Sequence, residues 1–151
     1  MDRLGNRCHG DMENCAMNAP PAPPPMLLLV DDDPAVLASL IFSLELDGFA
    51  VDAFDSGETV MARNRLAPHA CLVLDYRLAG IDGLSLLSLL RERGETCPAV
   101  IITSNPTRAM RQRTTEAGAV LIEKPLLNDS LTTAIRQLIA GPQLAANARA
   151  N

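Results

Sequence analysis

Short apolar runs in this 151-residue chain lead into side chains suited to handling a phosphoryl group. Asp31 and Asp32 follow residues 27–30, Asp75 follows 71–74, Thr103 follows 100–102, and Lys124 comes shortly after 120–122. Adjacent carboxylates with a third nearby repel one another unless a cation neutralises them, so a divalent ion is implied. Oxygen-only, highly charged ligands suit Mg²⁺, which takes one or two carboxylates and keeps several waters for a phosphate. A carboxylate such as Asp75 can attack a phosphoryl group and form an acyl phosphate. Thr103 can donate its hydroxyl to a phosphoryl oxygen, and Lys124 can supply compensating charge.

Taken singly, each residue has a plainer reading. The run Asp31, Asp32, Asp33 can decorate a strand-to-helix turn, Thr103 can satisfy local backbone, and Lys124 can be a solvated surface amine. Asp75 tilts the balance, because it follows a run too apolar to need a solubilising charge and precedes a loop with Gly80 and Gly83. The joint placement of all of them at strand ends favours chemistry, since open α/β sheets bind ligands beyond the carboxyl ends of their strands.

The elements that must position these residues follow from the pattern. Apolar runs alternate with amphipathic segments from Met26 onward, which predicts a doubly wound parallel α/β sheet. Strands are expected at 26–30, 49–54, 70–74, 99–102 and 120–122, and helices near 34–46, 56–66, 83–93, 106–117 and 129–140. Asp33 before Pro34 is an N-cap followed by proline at the first helical position, so Asp33 is structural. Ser56 opens the second helix, Asn128 caps the last, and Gly48, Gly94 and Gly118 end helices where a positive φ is tolerated. Leu37, Leu40, Ile41 and Leu44, and likewise Leu86, Leu87 and Leu90, recur at helical spacing and are core. The first and third strands are apolar throughout, as central strands buried on both faces should be.

Hydrophobic residues at 48% and charged residues at 21% fit one globular domain, here 26–140. Residues 1–25 read as a proline-rich N-terminal tail, with translation also able to start at Met26, and 141–151 as a short C-terminal tail. A net charge of −5 opposes direct nucleic-acid binding. No apolar run reaches the ~20 residues of a membrane span and no signal sequence opens the chain, which predicts a cytoplasmic location. Cys8, Cys15, Cys71 and Cys97 lack CxxC spacing and read as reduced thiols, the last two in strand-like contexts. Cys8, His9 and Cys15 are too few ligands for a metal site.

As a set, Leu29 to Pro34, Val73 to Gly83, Val100 to Ser104 and Glu123 to Pro125 resemble the receiver domain of two-component response regulators. The resemblance implies a flavodoxin-like fold with strand order 2-1-3-4-5 and a phosphoryl group passed to Asp75 from a phosphohistidine on a sensor histidine kinase or histidine phosphotransfer protein. Mg²⁺ would be bound directly by Asp32, Asp75 and the backbone carbonyl of Arg77, with Asp31 acting through a metal-bound water. Thr103 and Lys124 would hold the phosphoryl oxygens, the Lys124–Pro125 bond would be cis, and a downstream protein would read the 106–140 surface. A homodimer is compatible with the family.

Two departures stand out. Leu121 occupies the position three before the lysine where most receivers carry Tyr or Phe, and Ala79 stands where proline is common. The usual route from threonine to surface is therefore in question, and the loop Ser104, Asn105, Pro106, Thr107 or a helix displacement is the expected alternative. With little chain after Ala140, a stand-alone receiver is expected, serving as a relay, a phosphate sink or an effector, and not an enzyme in the ordinary sense. Two other readings stay open: an aspartyl-nucleophile phosphatase using Asp31 and Asp33, and a degenerate receiver that binds partners without phosphorylation.

Overall fold

The computed structural model describes residues 22–63, 68–126 and 129–141. Cys8, His9, Cys15, Leu66, Asn128 and most of both tails lie outside the described residues. Strands β1 (Met26–Val30), β2 (Ala50–Phe54), β3 (Cys71–Asp75), β4 (Ala99–Thr103) and β5 (Val120–Glu123) form a five-stranded sheet in the order β2-β1-β3-β4-β5. Every pairing is parallel. Helices α1 (Pro34–Leu46), α2 (Gly57–Ala62), α3 (Gly83–Glu92), α4 (Arg108–Glu116) and α5 (Ser130–Ile139) connect and follow the strands. This is the expected doubly wound fold and strand order.

Alternation along each strand divides the core into two halves. Leu27 and Leu29 of β1, Cys71 and Val73 of β3, and Val100 and Ile102 of β4 pack with Leu40 and Leu44 of α1 and Leu131 and Ile135 of α5. Leu28, Val30, Leu72, Leu74 and Ile101 face the other way, onto Val60 of α2 and Leu84, Leu86, Leu87 and Leu90 of α3. A fully buried leucine contributes about 1.5–3 kcal/mol, so these two layers are what fix the strand ends in register.

Helix α1 begins as expected: the Asp33 side chain accepts from the amides of Ala35 and Val36, with Pro34 at the start. Ser56 caps α2 by accepting from Thr59 N. Gly48, Gly94 and Gly118 all have positive φ. The expected boundaries shift where tertiary pairing extends a strand. Asp75 and Thr103 are the last residues of β3 and β4 rather than the first beyond them, because Asp75 pairs with Ile102 and Thr103 with Glu123. Helix α4 starts at Arg108, not Pro106, because the Thr107 hydroxyl accepts from Met110 N and sets the cap there. At α5 the N-cap position belongs to Asp129, whose side chain makes no capping bond. Cys71 opens β3, whereas Cys97 lies just ahead of β4 in the connection; both are free thiols. No helix among the described residues is long and apolar enough to cross a membrane.

Candidate functional site

β1 and β3 are neighbours, and the chain leaves them toward opposite sides of the sheet order, so their carboxyl ends border the crevice where such sheets bind ligands. Asp31 and Asp32 stand at the end of β1, Asp75 at the end of β3, Thr103 at the end of β4 and Lys124 just past β5. Five residues spread over 94 positions of sequence are thus brought to one end of the sheet by its parallel register.

Carboxylate oxygens of Asp31, Asp32 and Asp75 lie within 4.8 Å of one another. Asp31 is buried and Asp32 exposed, so the cluster opens to solvent on one side. Asp31 Oδ1 accepts from Asp33 N at 2.9 Å, which orients that carboxylate within the turn. Asp75 Oδ1 accepts from Arg77 N at 3.3 Å, and its Oδ2 accepts from Lys124 Nζ at 3.4 Å. The same ammonium stands 3.6 Å from Asp31 Oδ2. Lys124 is only 22% exposed and bridges two buried carboxylates, so it is not a solvated surface amine. Its own amide donates to Thr103 O at 2.8 Å, tying the ends of β4 and β5 together.

Burial, and after it the Asp31 carboxylate, push Asp75 above the ordinary carboxylate range, against the pull of Lys124 and of the Arg77 amide. One ammonium facing three carboxylates leaves excess negative charge. All the donors are oxygens, and they are close enough to share one ion, so the set fits a hard divalent cation.

Thr103 is 1% exposed, and its Oγ1 has no hydrogen-bond partner among the described residues. A buried hydroxyl without a partner costs about 1–3 kcal/mol, so the plainer reading of Thr103 as a satisfier of local backbone does not hold. The Lys124–Pro125 bond is cis, as the resemblance implies. Leu121 lies within β5, paired with Ile101.

Two features of the site escaped the sequence. Gly83 is needed for close approach: a Cβ there would lie 2.4 Å from Asp75 O and 3.1 Å from Tyr76 Cα. A glycine just after a capping aspartate was visible, but which backbone it had to clear was not. Arg113 of α4 also reaches the loop after Asp75, donating to Tyr76 Oη at 3.2 Å. With the partners 37 positions apart in the chain, no local signal could have paired them.

The family described as "Response regulator receiver domain" matches residues 27–136. The transcriptional regulatory protein FixJ of Bradyrhizobium diazoefficiens is 31% identical over 117 residues, covering 77% of this chain and 57% of that protein. The response regulator protein TodT of Pseudomonas putida is 31% identical over 116 residues, covering 76% of this chain and 51% of its own. This chain therefore spans about half the length of these relatives. Among solved structures, the response regulator StyR is 34% identical with a TM-score of 0.71, over 83% of this chain and 64% of that one. Chemotaxis protein CheY4 of Vibrio cholerae, 18% identical, matches in fold with a TM-score of 0.70 over 76% of this chain and 98% of that one. With the family matched across nearly the whole sheet and the acidic crevice at its expected end, this chain belongs to the receiver domains of response regulators, the phosphorylation-based signalling modules of two-component systems.

Proposed function

We propose that residues 26–140 accept a phosphoryl group on Asp75 from a phosphohistidine of a sensor histidine kinase or histidine phosphotransfer protein. A carboxylate oxygen of Asp75 forms the new P–O bond, the P–N bond breaks, and the departing imidazole takes up a proton. Asp31, Asp32, Asp75 and the carbonyl of Arg77 would hold Mg²⁺, which neutralises phosphoryl charge when bound. Lys124 faces Asp75 and offsets the charge that arrives there. The unpartnered Thr103 hydroxyl is the donor free to turn toward the new oxygens. Support comes chiefly from one observation: a buried carboxylate at the end of a central strand, paired to Lys124 at 3.4 Å, beside a buried hydroxyl that has no partner.

The added charge then biases a conformational equilibrium read by a protein partner on the 106–140 surface. A relay or sink role would use the same acceptor, and phosphotransfer profiling against kinases and phosphotransfer proteins separates these from an effector role. The phosphatase alternative needs Asp33 as a second catalytic carboxylate, yet its Oδ1 accepts from Ala35 N at 2.9 Å at the start of α1.

The test is Mg²⁺-dependent labelling by a small phosphodonor, which Asp75→Asn should abolish. Label that persists in that variant would remove Asp75 as acceptor. Turnover of phosphomonoesters lost in Asp31→Asn but kept in Asp75→Asn would instead favour the phosphatase.

A further inference from the structure

Tyr76, the only tyrosine in the chain, directly follows the proposed acceptor and is pinned by its backbone. Its amide donates to Ile102 O and its carbonyl accepts from Gly83 N, both at 2.8 Å. The ring packs against the α2/α3 side of the core. The hydroxyl is therefore held in place on the residue that follows Asp75. Asp82 is fixed as well, as the N-cap of α3, its Oδ1 accepting from Ser85 N at 2.7 Å.

Arg113 bridges these two residues from α4. Its Nη1 donates to Tyr76 Oη at 3.2 Å, and its Nη2 stands 3.8 Å from Asp82 Oδ1. Helix α4 has little else to hold it: only Met110 and Thr114 are buried. The Thr114 hydroxyl donates within the helix, to Met110 O at 2.7 Å, and the Thr107 cap is local too. A second ion pair from α4, Arg111 to Glu123 at 3.5 Å, is exposed on both sides.

At its other end α4 is joined to Thr103 by the loop Ser104, Asn105, Pro106, Thr107. Any movement of Thr103 toward an anion on Asp75 is carried into the helix over that short connection. We propose that Arg113 is a latch, closed on Tyr76 and Asp82 in the resting protein, and that phosphorylation of Asp75 displaces α4 by opening it. This deepens the receiver reading and rests on it. The latch is suited to opening, since partly exposed pairs at these distances are weak. It also provides a way out of the site that does not need an aromatic side chain at Leu121. Coupling of this kind requires that α4 have two discrete positions, biased both by the latch and by the charge on Asp75.

Reciprocity makes this testable. If phosphorylation favours the open latch, removing the latch must favour the phosphorylated form by the same factor. The full chain, as wild type, Arg113→Ala and Tyr76→Phe, is titrated with beryllofluoride in Mg²⁺ by calorimetry, and amide hydrogen exchange is followed across residues 108–116. For Arg113→Ala we expect exchange in α4 about two- to five-fold faster before any addition, and beryllofluoride binding tighter by a similar factor. Tyr76→Phe keeps the ring and all charges, and should move both readouts the same way by less.

The sign separates a latch from simple electrostatics, because losing a cation near an anionic ligand would by itself weaken binding. Weaker binding in Arg113→Ala, unchanged α4 exchange, or a Tyr76→Phe protein indistinguishable from wild type would overturn the proposal. A wild-type chain that binds no beryllofluoride would overturn the proposed phosphoryl acceptance at Asp75 and the latch with it.

Discussion

Helices α3 and α4 follow consecutive strands and are nearly equal in length, with 10 and 9 residues, yet they are held in different ways. α3 buries Gly83, Leu84, Leu86, Leu87 and Leu90, and its first residue sits directly over the Asp75 carbonyl. α4 buries Met110 and Thr114, and it reaches the loop after Asp75 through one arginine. The difference places stiffness and compliance on either side of the site. The segment leaving Asp75 is locked into the core, so the proposed acceptor keeps its position. The segment leaving Thr103 enters a thinly packed helix, the kind of element that opens locally at low free-energy cost.

The comparison can be broken first at its packing. Leu87→Ala should cost about 3–5 kcal/mol in urea unfolding, while Met110→Ala, which leaves a smaller and more open gap, should cost about 2 kcal/mol or less. Equal losses would remove the distinction between the helices. Gly83→Ala comes next. Alanine in a helix is ordinarily about 1 kcal/mol better than glycine. Here the new Cβ meets Asp75 O at 2.4 Å, which is backbone and cannot swing aside. We expect a net loss of about 2 kcal/mol and slower labelling of Asp75, as overpacking displaces the acceptor. A stabilised, normally labelled Gly83→Ala protein would show that the start of α3 is not rigidly seated.

On the compliant side, Thr103→Val removes a buried hydroxyl that has no partner. It should leave the unphosphorylated protein as stable or up to about 1 kcal/mol more stable, while impairing retention of the phosphoryl group. Destabilisation with intact labelling would mean that the hydroxyl serves the resting fold instead.

The smallest effect is a pH dependence. The Asp75 carboxyl is raised above 3.8 in the folded protein, first by burial and then by Asp31. A carboxyl raised on folding contributes stability that is complete below the unfolded value and is lost as pH rises through the folded one. In Mg²⁺-free buffer, Asp75→Asn should therefore gain on the wild type as pH rises through that range and level off above it. Chemical denaturation across pH 3–8 measures this, and a gap that narrows with rising pH would contradict the assignment.

How much of this was legible in the chain depends on how local the cause was. Both ends of α1 were read correctly, because Asp33 and Pro34 act within a single turn and Gly48 follows closely. The start of α4 was misplaced by two residues, since proline and threonine both signal a helix start and only the bond from Met110 N to Thr107 decides between them. Asp75 and Thr103 were expected just beyond their strands and lie inside them, because strand ends are set by the neighbouring chain. The gathering of Asp31, Asp32, Asp75, Thr103 and Lys124 was legible as a set, since a parallel sheet carries every strand's carboxyl end to the same side.

The amino-acid sequence by itself determined the alternation of strands and helices, the acidic, hydroxyl and cationic groups at the strand ends, and the caps of α1 and α2. These depend on periodicity and on contacts a few residues apart. Only the tertiary structure decided that Thr103 is buried without a partner, that Lys124 bridges Asp31 and Asp75, that Gly83 clears the Asp75 carbonyl, and that Arg113 ties α4 to Tyr76. Each of these depends on how one segment packs against another. Its geometry exists only once the core has set the distance between them.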